Sequence, residues 1–350
     1  VAIKDAVFAF LDGTAKAFDG LALNSDEVSK VKRQWQLRTD EERALSRDLL
    51  PRFGLDGTQV RRLLGEDRTT YGLPAKLSEI IDNPYILCES YIGDGPDDTI
   101  GLSKIEHGIF PSPNIAPAFL YEVDDWRRLR AFTVGQLLIK STQTFLELSQ
   151  VLHDVNHDLS FVAEWKRHQF TERYYEIDKE HMLGALEFRE HEGQRYVYLR
   201  SAWEDEQLVS KCLRELNKRA DISFKVPLTE SHWGDYLRDD CSILSRMDAD
   251  QYREAIEGQI AVCQQIFVRP LCVLAGSAGT GKTTVIRSLI HAVERVHGSG
   301  ASFQLLAPTG KAADRIREKT GKAASTIHSF LAQRGWLNDN LTFKRQGGFR

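Results

Sequence analysis

LCVLAGSAGTGKTTVIRSLI, Leu271–Ile290, ends an apolar run in glycines and then opens a helical pattern with a lysine and two threonines. Leu271 to Ala275 is short and continuously apolar, as a parallel strand covered on both faces would be. Thr283 to Val296 carries apolar residues at 285, 286, 289, 290, 293 and 296, which is a helical period. Strand, glycine loop and helix in that order are the setting of a phosphate-binding loop, and Gly276 to Thr283 fits GxxxxGK[ST] at every position.

Each residue type in the loop has a chemical reason. Glycines at 276, 279 and 281 let the backbone wrap, so that its amides, with those of Ser277, Ala278, Thr280 and Thr284, point inward at phosphate oxygens. The helix that follows adds the partial positive charge of its first turn. Lys282 is expected to reach the β- and γ-phosphates of ATP, and the Thr283 hydroxyl to coordinate Mg²⁺.

Downstream, FQLLAPTGKAADRIREKTG repeats the strand-then-helix logic. Phe303 to Ala307 is expected to be the neighbouring parallel strand, with Pro308-Thr309-Gly310 as the turn at its carboxyl end, the edge where ligands sit in an open α/β sheet. Thr309 and the amides of Gly310 and Lys311 can bind an anion there, with Arg315 and Arg317 adding to a basic rim. An uninvolved corner with solvated charges is the competing explanation.

The remainder of the chain sets bounds on this reading. Its 350 residues are 42% hydrophobic and 27% charged with a net charge of −4, an ordinary globular composition with room for two or three domains. Charge is unevenly placed: from Ala301 to Arg350 there are nine Lys or Arg against three Asp or Glu. Five cysteines, at 88, 212, 241, 263 and 272, show no zinc spacing, and His153 and His157 read as a solvated pair rather than metal ligands. VAIKDAVFAF lacks the features of a signal peptide, and no apolar run approaches the ~20 residues a bilayer needs, so a cytoplasmic setting without membrane partners is expected. The first residue is not Met, which suggests a piece of a longer chain.

Upstream of the loop the text is mainly helical. LSRDLLPRFGLDGTQVRRLLGED places two helices around Phe53-Gly54-Leu55, either a helix–hairpin–helix that can face phosphate with its turn or a plain helical corner. Pro74 to Ile81 is expected to be a helix stopped at Asp82-Asn83-Pro84, followed by an exposed acidic GDGPDD loop. Trp126 to Asp154 reads as a core helix or helix pair. From His181, helix, glycine-turned strand and helix suggest a winged-helix-like unit, in which Tyr196 and Tyr198 share one face and either stack on bases or close a small core. HWGDYLRDDCSILSR looks like a linker.

GSAGTGKTT, LLAPTGKAADRI and AASTIHSFL, in this order and spacing, resemble motifs I, Ia and Ib of the RecD-like group of superfamily 1B helicases. Gln251 in MDADQYREAI stands where that family keeps its adenine-recognising glutamine; a helix-opening capping box with Asp248 also accounts for it. More weakly, RFGLDGTQVRRLLGE with NPYIL is similar to the helix–hairpin–helix region of longer, free-standing RecD-like enzymes, and YVYLRSAWEDEQLVSKCLREL to the segment leading into their motor. Where those enzymes usually show a second hairpin, this chain has YIGDGPDDTIGLSKIEHGIFPSP.

The resemblance implies an ATP-driven motor on single-stranded or partly duplex DNA, typically moving 5′ to 3′. It implies that Pro308, Thr309, Gly310 and Lys311 touch the DNA backbone, as do Thr326 and His328 of STIH; a buried, backbone-bonded histidine is the alternative for His328. The expected fold class is α/β: a partial RecA-like parallel sheet of a P-loop NTPase at 241–350, after a helical domain with a helix–hairpin–helix-like segment at 1–125 and a winged-helix-like domain with linker at 126–240. Hydrolysis needs a carboxylate pair at the end of a third strand, and no acid after Lys282 follows an apolar run. The chain is therefore expected to be the amino-terminal portion of the enzyme, binding nucleotide weakly and hydrolysing little by itself. Two alternatives stay open: an RNA or RNA–DNA translocase of the same superfamily, and a P-loop nucleotide switch or assembly module.

Overall fold

The computed structural model describes residues 2–15, 24–95, 97–116, 121–140, 142–238, 243–277, 279–298 and 300–337. Contacts divide the chain into two compact units, Val1–Asp205 and Glu206–Arg350.

The first unit opens with α1 (Ala2–Leu11), α2 (Ser25–Gln36) and α3 (Asp40–Ala44), continued by a π turn at Leu45–Leu49 and a 3₁₀ turn at Leu50–Arg52. Gly54 takes φ of 57°, which a side chain disfavours, and the chain reverses into α4 (Gly57–Leu64). Asp56 caps that helix by accepting from Thr58 N and Gln59 N, while Gln59 reaches back to the Asp56 amide. The two arms of the expected hairpin therefore exist. They pack Leu49, Leu50, Phe53 and Leu63 against α5 (Leu77–Asp82), α6 (Ile86–Ser90) and α7 (Leu102–Ile109).

Gly108 of α7 seats the Phe53 ring: a methyl group there would stand 2.4 Å from Phe53 Cδ1. Gly108→Ala is expected to destabilise this unit by about 1–3 kcal/mol, read as a lowered thermal midpoint.

The acidic loop after α6 is anchored on one side. Arg62 pairs with both Asp94 and Asp98, and Gln59 Nε2 donates to Asp98 Oδ1 at 3.1 Å. The loop is thus pinned to α4 by charge and hydrogen bonds, while Asp94 and Asp97 are exposed as expected.

The second half of the unit is a helix pair, α8 (Trp126–Ile139) and α9 (Leu148–Ser160), with strand β1 (Phe145–Glu147) between them. Short helices α10 (Glu172–Ile177) and α11 (Lys179–Met182) lead to the hairpin β2 (Leu186–His191) and β3 (Gln194–Leu199), then α12 (Arg200–Asn217). The antiparallel order is β1-β3-β2. Leu146, Leu186 and Val197 face a core with Val151, Val155 and Phe170. Tyr196 and Tyr198 share the opposite face, where Phe145 meets both rings at 5.4 and 5.1 Å and Trp203 meets Tyr198 at 5.1 Å.

Buried ion pairs tie the two halves of this unit together. Arg128, 0% exposed, gives Nη2 to Glu106 at 2.9 Å and further donors to Val123 O and Lys166 O at 2.8 and 2.7 Å. Tyr85 Oη donates to the same Glu106 at 2.5 Å. Arg130 grips Glu89 at 2.9 Å, and burial pushes the Glu89 carboxyl above the usual carboxylate range even so.

The second unit corrects the expected linker. Glu230–Leu237 is helix α13, opened by a Thr229–His232 capping box. Trp233 and Leu237, four apart and each 1% exposed, form the core with Ile256 and Cys263 of α15 (Ala249–Phe267) and Val285 of α16 (Lys282–His297). A short α14 (Ile243–Met247) precedes α15; residues 239–242 lie outside those described.

The sheet of this unit is β4 (Leu305–Ala307) paired in parallel with β5 (Ala324–Thr326) through α17 (Gly310–Thr320), and α18 (Ile327–Gln333) follows. The expected strand at 271–275 is irregular, and the neighbour of β4 is β5 instead. Val273 is 84% exposed. An apolar run becomes a strand only when another strand completes its ladder, and among the described residues none pairs with 271–277.

Candidate phosphate-binding loop and strand-facing edge

The loop from Gly276 to α16 has the backbone its sequence demands. Gly279 and Gly281 take φ of 82° and 81°, left-handed values that turn the chain tightly into the helix N-terminus. Gly281 is the N-cap of α16 and its carbonyl accepts from Val285 N at 3.0 Å. Lys282 folds back over the loop: its Nζ donates to Gly276 O at 2.7 Å and Ser277 O at 2.6 Å. Thr280 Oγ1 also donates to Ser277 O at 3.0 Å. Ala278 lies outside the described residues.

A cavity of about 350 Å³ opens on this loop, lined by Gly279 to Thr284 together with Arg287 and Lys319. Three cations and, among the described residues, no carboxylate face it. With a helix N-terminus and two left-handed glycines at its wall, the site suits a polyanion. Thr283, exposed at the start of α16, lines the same cavity.

Gln251 opens α15, where its backbone amide donates to Asp248 Oδ1 at 2.9 Å, a cap that leaves its side chain uncommitted. Gln259, two turns further along α15, is the glutamine at the loop: its Nε2 lies 3.5 Å from Thr280 O. It would also stand 2.4 Å from a Cβ on Gly281. Sequence reasoning missed Gln259, which lies eight residues beyond Gln251 and so some 12 Å further down the axis of α15. Gly281→Ala therefore combines a disfavoured φ with a clash. It is expected to weaken nucleotide binding by roughly tenfold in a titration and, through the positive φ, to cost about 1–2 kcal/mol of stability, seen as a lowered thermal midpoint.

The second group of candidates gathers at one sheet edge. Ala307 and Thr326 are paired across β4 and β5, so the turns leaving both parallel strands emerge side by side. Thr309 caps α17 by accepting from Ala312 N at 3.3 Å, and Thr326 caps α18 by accepting from Ser329 N at 3.1 Å. Pro308, Thr309, Gly310, Lys311 and His328 are exposed, which removes the buried-histidine reading of His328. Arg317 is drawn to Asp314 at 2.5 Å. Among the described residues no His, Cys, Asp and Glu cluster could hold a metal ion, and no helix is long and apolar enough to cross a membrane.

Residues 259–347 match the family described as the AAA domain. Among similar proteins, the ATP-dependent RecD2 DNA helicase of Deinococcus radiodurans is 43% identical over 75 residues, covering 21% of this chain and 10% of that protein. The RecBCD enzyme subunit RecD of Haemophilus influenzae is 24% identical over 192 residues, 49% of this chain and 28% of that one. An uncharacterized protein of Methanocaldococcus jannaschii, MJ1519, is 23% identical over 282 residues, 73% of this chain and 22% of its own length. The chain thus spans little more than a quarter of these relatives at most. Motifs, domain match and relatives converge: the chain resembles the RecD-like superfamily 1 helicases, and its residues 259–347 carry a P-loop NTPase domain of the AAA type.

Proposed function

We propose that the protein bearing this chain is an ATP-dependent motor that travels on single-stranded DNA, 5′ to 3′, and parts the duplex. One observation carries the reading: a cationic cavity walled by left-handed Gly279 and Gly281, with Lys282 turned into the loop and the N-terminus of α16 behind it. Bound ATP supplies the free energy of movement when its terminal phosphate is transferred to water. The residues present fit it. Loop amides and Lys282 would hold and neutralise the β- and γ-phosphates, the Thr283 hydroxyl would meet Mg²⁺, and Gln251 would recognise adenine, with Gln259 bracing the loop at Thr280.

Pro308 to Lys311, Thr326 and His328 form the edge that grips the polymer backbone, where two helix N-termini and a lysine meet. The helical hairpin at 45–64 and the β2–β3 hairpin belong, in this reading, to accessory domains at 1–125 and 126–240 ahead of a motor domain at 241–350, and the protein works in the cytoplasm.

The experiment is ATP turnover by the intact protein with single-stranded DNA, single-stranded RNA or neither. Stimulation by DNA above RNA is expected. Stimulation by RNA alone would move the protein to the RNA translocases, and no polymer binding at any salt would make it a nucleotide switch. Thr309→Ala with Lys311→Ala is expected to weaken single-strand binding by roughly tenfold and to lower the slope of log affinity against log salt by about one.

A further inference from the structure

The phosphate cavity receives a side chain from outside the loop and its helix. Lys319, on the last turn of α17, lines the same cavity as Lys282, Thr283 and Thr284. Its basic neighbours are engaged elsewhere: Arg317 with Asp314, and Lys322 with Glu294 of α16. The Lys322–Glu294 pair ties the end of α17 to α16, which leaves Lys319 on the stretch of α17 held beside the loop's own helix.

α17 is eleven residues long, about 16 Å. Its first residues, Gly310 and Lys311 after the Thr309 cap, stand at the polymer-gripping edge. Its last turn stands at the loop cavity. A single helix thus joins the cavity to the turn at Thr309.

We infer that Lys319 contacts the nucleotide phosphates and that α17 is the rod through which nucleotide and single strand tighten each other's binding. The inference rests on the reading of the cavity as an ATP cradle. An ammonium facing phosphate oxygens makes a charge-assisted hydrogen bond, which fixes the end of α17 against α16 when nucleotide is present. A strand then meets a Thr309–Lys311 turn already held in place. Linkage requires the effect to be mutual: the factor by which nucleotide tightens the strand equals the factor by which the strand tightens nucleotide.

The test uses the intact protein with a fluorescent non-hydrolysable ATP analogue and a labelled oligothymidylate, each titrated with and without a saturating amount of the other. Lys319→Gln is expected to weaken the analogue roughly tenfold, to leave oligothymidylate affinity unchanged without nucleotide, and to bring the mutual factor close to one. Lys319→Arg is expected to keep the factor. The inference is overturned if Lys319→Gln binds the analogue within about twofold of the parent, if the mutual factor survives the substitution or is absent in the parent, or if strand affinity without nucleotide falls as far as nucleotide affinity does. A parent protein that binds no analogue, with Lys282→Ala changing nothing, would instead sink the reading of the cradle itself.

Discussion

Lys282→Ala in the intact protein is expected to cut strand-stimulated ATP turnover by roughly a hundred- to a thousandfold, the usual cost of removing one preorganised group aimed at developing charge. The side chain now satisfies itself on Gly276 O and Ser277 O, both in an exposed loop. Nothing in the core depends on those two bonds, so the thermal midpoint without nucleotide should stay within about a degree, a surface change being worth roughly 0.5 kcal/mol or less. The same variant should gain little when nucleotide is added, whereas the parent should be stabilised by it. Turnover within about threefold of the parent would remove the P-loop reading, in which the loop's own lysine meets the charge developing on the transferred phosphate.

The largest expected loss of stability is at Arg128. Arg128→Met leaves Glu106 buried with only Tyr85 and deprives Val123 O and Lys166 O of their donors. Breaking one side of a buried ion pair costs about 3–5 kcal/mol, which for a unit of this size lowers the thermal midpoint by roughly 6–20 °C. Adding Glu106→Gln to Arg128→Met is expected to recover part of that loss, since the unpaired charge is then gone. A single variant that melts with the parent would mean that the pair contributes nothing to joining the two halves of the first unit.

The helix pattern around the loop was legible because its signals are local. The period at 283–296 became α16 at Lys282–His297, and the glycine at 54 turned the chain where a left-handed residue was needed. The strand at 271–275 was not legible, since an apolar run reads alike whether or not a partner completes its hydrogen bonds, and β4 has β5 as its neighbour. HWGDYLRDDCSILSR looked like a linker because it is short and polar overall; Trp233 and Leu237 became core only through what α15 and α16 bring to them. GDGPDD read as an exposed loop, and Asp94 and Asp97 are exposed; that Arg62 pairs with Asp94 and Asp98 could not be read from residues so far apart in the chain.

By itself, then, the sequence determined the chemistry of the loop: glycines where φ must be positive, and a lysine and a threonine at a helix start. Those are properties of adjacent residues and survive without knowledge of the fold. Only the tertiary structure decided that Gln259 stands at the loop and that Lys319 shares the cavity with Lys282. Helix positions two turns apart look equivalent along the chain but lie about 12 Å apart in space, and a charge-assisted contact reaches about 3 Å.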